Sequence, residues 1–202
     1  LERIGPGGGG ATFLPTFSYR HSQEFLLRCD MTGAYQTQDG GQSYRQINIP
    51  NGAHSFAFDP MEKNVIYLGS SALYRSSDGG GRWEQVYPKP YRVLGQSHFG
   101  DHAEPGMEVT KESAYWPPGQ VINGIRVDPV DSKCLYFTVG HSIFFSRDRG
   151  ETWITKDLHA PLIYLYANQA AAYIFSADSI YVLDKGSREI KPSPLPSAMR
   201  PV

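Results

Sequence analysis

Three stretches of the sequence share one pattern that decides the fold: TQDGGQSY at residues 37–44, SSDGGGRW at 76–83 and SRDRGETW at 146–153. Each reads Ser/Thr-x-Asp-x-Gly-x-x-aromatic, which we call the Asp-turn motif. The Asp side chain can accept hydrogen bonds from the backbone of its own turn, and the Gly adopts a positive φ without steric cost. The aromatic residue then begins a strand and can pack against a neighbouring sheet. Each copy therefore predicts a hairpin between antiparallel strands.

A second landmark, an Asp-Pro turn, precedes two of these motifs. Asp59 is followed by Tyr67 and Asp128 by Tyr136, so that Asp and Tyr are eight residues apart in both copies. A whole unit then consists of a strand, an Asp-Pro turn, a strand, a loop, a strand, an Asp-turn motif and a last strand. This is a four-stranded antiparallel meander, and the sequence predicts an all-β fold built from β-propeller blades.

The spacing of the motifs gives the number of blades. Asp39 and Asp78 are 39 residues apart, and Asp78 and Asp148 are 70 apart, so an insertion of about 30 residues accounts for the difference. A degenerate copy follows, with Asp184 lying 36 residues after Asp148. We therefore expect about four blades. Most propellers have more, so the ring is expected to be completed by further blades or by a second chain. The alternative is a compact ring of four blades.

The domain limits follow from these landmarks. We predict a glycine-rich lead-in at residues 1–10, the blades at 11–192 with an inserted loop at 88–120, and a Pro-rich tail at 193–202. Because Pro cannot donate to a ladder, the segment from Pro192 onward is expected to be a linker rather than a strand.

Composition excludes several classes of partner. The net charge is -1 and charged residues make up 19% of the chain, so no electrostatic footprint indicates binding to nucleic acid or to an anionic membrane. No stretch approaches the ~20 apolar residues that span a bilayer. The sequence contains no phosphate-binding loop, nucleophile elbow or Cys–His pair, and no cofactor is expected.

The repeats resemble the Asp-box (bacterial neuraminidase repeat) superfamily, which includes sialidases, sortilin-type receptors and two-propeller xyloglucan hydrolases. Residues 28–35, RCDMTGAY, are similar to the Arg-Thr-Asp-Ile-Gly-Gly-Ala-Tyr motif at the start of the xyloglucan-hydrolase propeller. This resemblance implies that Asp30 is a catalytic carboxylate and that the protein is secreted or periplasmic. The second carboxylate of that family comes from a second propeller, which this chain lacks. The Arg-Ile-Pro signature of sialidases is absent, so a sialidase is not expected.

Blade geometry separates scaffold from site. Asp-turn motifs and Asp-Pro turns are expected at one end of the blades, the turn end. Loops between second and third strands, blade connections and the insertion are expected at the other, the loop end. Asp30 belongs to neither motif and aligns with Ser70 or Ser71 and with His141, so no turn requirement places an acid there. The alternative is a loop Asp that binds the backbone before Gly33.

The insertion supplies most of the other candidates, because carbohydrate sites pair aromatic faces with carboxylates and Arg. The candidate catalytic residues are Asp30, Asp101 and Glu104, and the candidate substrate-binding residues are Arg28, Arg92, His98, His102, Tyr115, Trp116 and His141. The alternatives are a disordered excursion and an insertion that only covers a neighbouring blade. The spacing from His98 to His102 matches no established zinc pattern, so no metal site is expected.

These residues favour a glycoside hydrolase that acts on a polysaccharide or oligosaccharide, with Asp30 as one of two carboxylates. A polysaccharide lyase is a second possibility, in which His98 or His102 with Tyr115 abstracts a proton while Arg92 holds a uronate. A non-catalytic propeller that binds glycan or protein is the third.

Overall fold

The computed structural model describes residues 6, 10–30, 33–49, 52–97, 106–109 and 120–194. These residues form 18 strands, no α-helix and one short 3₁₀ turn, Pro90–Arg92. The strands are β1 Thr12–Phe17, β2 Phe25–Cys29, β3 Gly33–Thr37, β4 Arg45–Ile47, β5 Ser55–Phe58, β6 Ile66–Gly69, β7 Leu73–Ser76, β8 Glu84–Tyr87, β9 Val93–Ser97, β10 Gly106–Val109, β11 Ile122–Val127, β12 Leu135–Val139, β13 Ser142–Ser146, β14 Ile154–Asp157, β15 Leu162–Ala167, β16 Ala171–Ser176, β17 Ser179–Asp184 and β18 Ile190–Pro194.

Four antiparallel four-stranded sheets follow the chain order and are the blades. Blade 1 is β1–β4, blade 2 is β5–β8, blade 3 is β11–β14 and blade 4 is β15–β18. The first strands of consecutive blades pack against each other, so that β1, β5, β11 and β15 lie innermost. The predicted β-propeller blades are confirmed. The fourth is a complete meander even though its Asp-turn motif is degenerate.

Two segments differ from the predicted loop and linker. Within the insertion, β9 pairs with β10 as a separate two-stranded sheet, which satisfies backbone groups that an open loop would leave to water. In the Pro-rich segment, β18 pairs with β17, and Pro192 lies opposite Tyr181. A proline is tolerated there because β18 is the edge strand of blade 4, where one side of the backbone needs no partner.

The core consists of layers between neighbouring blades rather than one central cluster. Blades 1 and 2 enclose the first layer, blades 2 and 3 the second, and blades 3 and 4 the third. The layers are represented by Leu26, Ile47 and Phe56; by Tyr67, Val86 and Phe137; and by Tyr136, Leu165 and Ile174. Each fully buried side chain of this size contributes roughly 1.5–3 kcal/mol. Because blades 2 and 3 each lie between two of these layers, both of their faces are buried.

Blade 4 has one covered and one uncovered face. Tyr164 pairs with Phe175 and Tyr166 with Tyr173, at ring centroid distances of 5.7 and 6.2 Å, on the face opposite to the one by which Leu165 packs against blade 3. Tyr164 is 52% exposed, and no other described blade covers this face. The corresponding faces of blades 2 and 3 are buried against the next blade.

The Asp-turn motifs hold their own hairpins as predicted. In blade 3, the buried Ser146 hydroxyl accepts hydrogen bonds from the N–H groups of Gly150 (2.8 Å) and Asp148 (3.2 Å). The Asp148 carboxylate in turn accepts one from the N–H of Thr152 (2.8 Å). Gly150 has a φ of 88°, which explains the glycine of the motif. The last residue, Trp153, lies edge-on to Phe137 at 4.7 Å between centroids, in the layer between blades 2 and 3.

The Asp residues of the Asp-Pro turns also form contacts between blades, which the sequence did not predict. Asp59 accepts a hydrogen bond from the N–H of Glu62 (2.9 Å), as expected for a turn residue. It also accepts one from the hydroxyl of Ser132 in blade 3 (2.6 Å). Asp128 in blade 3 similarly forms an ion pair with Lys185 in blade 4. Both Asp residues are buried, and each connects its own turn to the following blade.

Candidate functional site

The loop end is held together by backbone hydrogen bonds between blade connections and the short loops beside them. These bonds run from His54 N to Gly69 O (2.7 Å), from Ile122 N to Ser70 O (2.8 Å) and from Leu162 N to Gly140 O (2.9 Å). Each connection thus lies beside the loop between the second and third strands of a blade. These hydrogen bonds consequently fix the position of each loop relative to the blade connection beside it.

Asp30 follows β2 directly and lies exposed at this end. Its Oδ1 accepts a hydrogen bond from the N–H of Ala11 (2.9 Å), the residue before β1. Asp30 therefore binds backbone, as the alternative structural role expects, and the described partner is Ala11; the residues directly before Gly33 lie outside the described residues. Its Oδ2 accepts no hydrogen bond from a described residue. One carboxylate oxygen thus positions Asp30, and no described residue donates to the other.

Gly33 begins β3 on the other side of this loop and is required there by its backbone. Its φ is 91°, and a Cβ atom at this position would lie 3.2 Å from the carbonyl oxygen of Ile47. A larger residue would strain the turn that carries Asp30.

An arginine and a histidine lie close to each other near Asp30, on the side that faces blade 2. Arg28 is half-buried on β2, and His54 is half-buried in the connection from blade 1 to blade 2. Burial, together with the nearby Arg28 charge, lowers the pKa of His54 from 6.5 to about 4. His54 is therefore neutral at ordinary pH, so that one ring nitrogen donates and the other accepts.

The neighbouring blade adds a buried hydroxyl to this region. Ser70 aligns with Asp30, and its Oγ is buried with no hydrogen-bond partner in the described part of the chain. Its carbonyl oxygen accepts the N–H of Ile122. In the sequence, Ser70 indicates only that an acid is not required at this position, and His54 lies in no motif that would predict its place here.

Two further predicted residues lie at the same end without a contact to Asp30. Arg92 closes the 3₁₀ turn Pro90–Arg92, and its guanidinium lies 5.8 Å from the ring centroid of Tyr91, which is 80% exposed. His141 is exposed beside Gly140, and its carbonyl oxygen accepts the N–H of Leu158 (2.9 Å). These side chains can contact a ligand that spreads over the loop end.

The remaining predicted site residues lie outside the described residues: Asp101, Glu104, His98, His102, Tyr115 and Trp116. Within the described ranges, no group of three or more His, Cys, Asp or Glu side chains is placed to hold a metal ion.

Two further acidic residues, Asp178 and Asp157, lie at the loop end and were not predicted as site residues from the sequence. Asp178 lies in the short loop between β16 and β17, where its carboxylate accepts a hydrogen bond from the hydroxyl of Ser176 (3.0 Å). Asp157 ends β14 and accepts one from the N–H of His159 (2.8 Å). Each acid is thus tied to its own loop, as Asp30 is tied to Ala11.

Two clefts of the described residues open at the turn end, and neither includes Asp30. The larger, about 590 Å³, is bordered by the four innermost strands. It contains Arg126, whose guanidinium lies 5.3 Å from the ring centroid of Tyr164. The other, about 390 Å³, lies between blades 1 and 2.

Comparison with characterised proteins connects the chain to xyloglucanases. A xyloglucanase of Paenibacillus sp. is 26% identical over 169 residues, which are 72% of this chain and 14% of that protein. The xyloglucanase Xgh74A of Acetivibrio thermocellus is 25% identical over 187 residues, which are 79% of this chain and 19% of that protein. The chain thus spans less than a fifth of the length of these relatives. No protein-family profile matches the sequence.

Solved structures agree on the fold. An ancestral GH74 enzyme superposes with a TM-score of 0.65 at 16% identity, covering 89% of this chain and 23% of that one. U3-55K superposes at 0.61 and 8% identity, covering 94% and 54%. YCF48 from Cyanidioschyzon merolae gives 0.59 at 11% identity, covering 98% and 60%. At these identities the likeness concerns the arrangement of blades alone.

The described residues contain no helix with the length and apolar character that crossing a membrane requires.

Proposed function

We propose that the chain is part of a secreted or periplasmic glycoside hydrolase of the Asp-box superfamily. Its proposed substrate is a polysaccharide of the xyloglucan class, and Asp30 is one of two catalytic carboxylates. The observation that carries this proposal is the exposed Asp30 carboxylate at the loop end, fixed through Oδ1 alone among the described bonds, within a chain similar to xyloglucanases.

The local chemistry supports a role for Asp30. Glycoside hydrolysis needs one carboxylic acid to protonate the leaving oxygen and a second carboxylate to activate water or attack the sugar. Asp30 keeps one oxygen for that task while Ala11 holds the other in place. In the proposed mechanism, its partner is Asp101 or Glu104 of the insertion, or a residue of a part of the protein beyond this chain.

The remaining candidates serve the substrate. In this proposal, Arg28 and the neutral His54 exchange hydrogen bonds with sugar hydroxyls beside Asp30. In this proposal, the rings of Tyr115 and Trp116 stack on sugar faces. Arg92, His98, His102 and His141 provide further polar contacts around them.

A non-catalytic glycan-binding propeller is the second candidate. The observation that favours it is that the described acids of the loop end are each held by their own loop, and no described carboxylate bonds to Asp30. Such a protein would bind the same polymer through Arg28, His54 and the insertion without cleaving it.

One experiment separates these possibilities. Wild type, Asp30→Asn and the control Asp157→Asn are incubated with xyloglucan and with uronate-containing polysaccharides, and reducing ends, unsaturated products and binding are measured. A hydrolase loses turnover by a factor of at least ~10² in Asp30→Asn, while Asp157→Asn, which also removes a charge at the loop end, retains it.

The other outcomes have distinct meanings. Equal activity of Asp30→Asn and wild type removes Asp30 from the mechanism. Unsaturated products indicate the lyase. Saturable binding without any product supports the non-catalytic glycan-binding propeller.

A further inference from the structure

A second site is indicated by the cleft of about 390 Å³ at the turn end, between blades 1 and 2. Its lining is almost entirely polar: Arg20, His21, Ser22, Gln23, Glu24, Gln38, Lys63, Asn64 and Gly79. A cleft of this volume falls within the usual range of small-molecule sites, roughly 300–1,000 Å³. It lies between two complete blades, at the opposite end from Asp30.

The lining includes a buried carboxylate with one oxygen available. Glu24 is 6% exposed, and its Oε1 accepts hydrogen bonds from Nε2 of Gln36 (2.9 Å) and Nε2 of Gln38 (3.4 Å). Its Oε2 accepts none from a described residue, and Glu24 forms no ion pair within the described part of the chain. A buried carboxylate without a countercharge is costly, and a cation that binds beside it recovers part of that cost.

The turn itself does not require an acid at this position. Backbone hydrogen bonds identify the equivalents, because Ser18 N, Asp59 N and Asp128 N donate to the carbonyl oxygens of Glu24, Val65 and Cys134, respectively. Blades 2 and 3 thus place an apolar residue or a thiol where blade 1 has Glu24.

The equivalent space between blades 2 and 3 is filled by the protein itself. There the guanidinium of Arg149 reaches across and pairs with the carboxylate of Glu62 (Nη1 to Oε2, 3.2 Å). Between blades 1 and 2, Gly79 replaces Arg149, and His21 replaces Glu62. The open cleft thus has Gly79 at the position of Arg149. The guanidinium of Arg45 lies beside it and donates to the carbonyl oxygen of Gly79 (3.0 Å) and to Oε1 of Gln36.

The entrance of the cleft carries the opposite charge. Arg20 and Lys63 line it from the two blades, and Nε of Arg20 donates to the carbonyl oxygen of Pro60 (3.0 Å). That bond fixes the side chain and leaves its terminal Nη groups for a ligand. The site thus offers a carboxylate in its interior and two cations at its entrance.

We propose that this cleft binds a basic amino acid, either free or at the carboxyl terminus of a peptide. The guanidinium or ammonium of the ligand pairs with Oε2 of Glu24, inside the cleft that Gly79 leaves open. The α-carboxylate of the ligand pairs with Arg20 and Lys63. A neutral sugar has no charged groups that could pair with Glu24 or with Arg20 and Lys63.

The test is calorimetric titration of the protein with L-arginine, the peptide Gly-Gly-Arg, argininamide, L-leucine and xyloglucan oligosaccharides. We expect saturable binding of L-arginine or the peptide and weaker binding of argininamide, which lacks the carboxylate. Preference between L-arginine and the peptide distinguishes the two sources of the ligand. L-Leucine and the sugars are expected not to bind at this cleft.

Two variants locate the binding. Glu24→Gln keeps the size of the side chain and should weaken L-arginine binding at least about 10-fold, as expected when one partner of a buried charge pair is truncated. Gly79→Arg should abolish it by filling the cleft. Arg149 adopts a φ of 62° at the equivalent position, and a Cβ at Gly79 would have Asn64 Oδ1 as its nearest neighbour, at 3.9 Å. Glu62→Gln, in the filled cleft, is the control.

Three results overturn the proposal. The first is that wild type shows no saturable binding of L-arginine or of the peptide at millimolar concentration. The second is that Glu24→Gln and Gly79→Arg both bind as well as wild type. The third is that sugars bind in the cleft and are lost in these two variants, which identifies a glycan subsite instead.

Discussion

The hydroxyl of Ser132 in blade 3 donates a hydrogen bond of 2.6 Å to the carboxylate of Asp59 in blade 2, although 73 positions of the sequence separate them. Both residues are buried in Asp-Pro turns. The same carboxylate oxygen also accepts N–H groups of its own turn, so one atom stabilises a turn and joins two blades.

Ser132→Ala should therefore lower the free energy of unfolding by about 1–2 kcal/mol, because a buried hydrogen bond is lost while Asp59 keeps its turn. Urea denaturation measures this. Ser22 occupies the equivalent position in blade 1 and is exposed, so Ser22→Ala is the control and should change the value by less than about 0.5 kcal/mol. Equal effects of the two variants would show that the contact between blades contributes nothing.

Ser146→Ala should lower the free energy of unfolding by about 1–3 kcal/mol more than a surface substitution does. The Ser146 hydroxyl is buried and accepts hydrogen bonds from the N–H groups of Asp148 and Gly150, and both bonds are lost in the variant. Ser146→Thr retains a hydroxyl and should recover much of the loss. A Thr variant as unstable as the Ala variant would mean that packing, and not the hydrogen bonds, sets the cost.

The pH dependence of the free energy of unfolding should include a contribution from His54. Its pKa is about 4 in the folded chain and near 6.5 when unfolded, so the unfolded chain binds more protons between these values. The free energy of unfolding should then fall by up to about 3 kcal/mol as pH is lowered from about 6.5 to 4. Urea midpoints of wild type and His54→Gln across this range isolate the effect. Parallel profiles would refute it.

A second pH effect should come from Asp39. Hydrogen bonds from Ser43, mainly from its hydroxyl, lower the pKa of Asp39 from 3.8 to about 2. The stabilisation is present above about pH 4 and is lost as pH falls through about 2. Asp39→Asn should remove this part of the acid dependence. The check is the thermal midpoint of both proteins between pH 5 and 2, and an unchanged slope in the variant would contradict the assignment.

Much of the fold could be predicted because the motifs repeat. Asp39, Asp78 and Asp148 mark one hairpin each, and their spacing gives the period of the blades. The bond from Ser132 to Asp59 could not be predicted, since it depends on how two blades are rotated relative to each other. The hairpin of β9 and β10 was missed because its short strands show no apolar alternation.

The candidate site was predicted in part. Arg28 lies near the end of β2 and Asp30 directly follows this strand, so the two residues lie at the same strand end. His54 was missed because it reaches this region through a blade connection without a motif. The cleft at Glu24 was also missed, since it becomes apparent only when the empty space beside Gly79 is compared with the space that Arg149 fills.

The layered arrangement of the core has a consequence for how the chain opens. When each repeat contacts only its neighbours, stability is approximately a sum of repeat and interface terms, and the outermost repeats separate first. Amide hydrogens of β12, in a blade covered on both faces, should exchange slowest with solvent deuterium. Those of β17, beneath the uncovered face of Tyr164 and Tyr166, should exchange through local opening long before the whole chain unfolds.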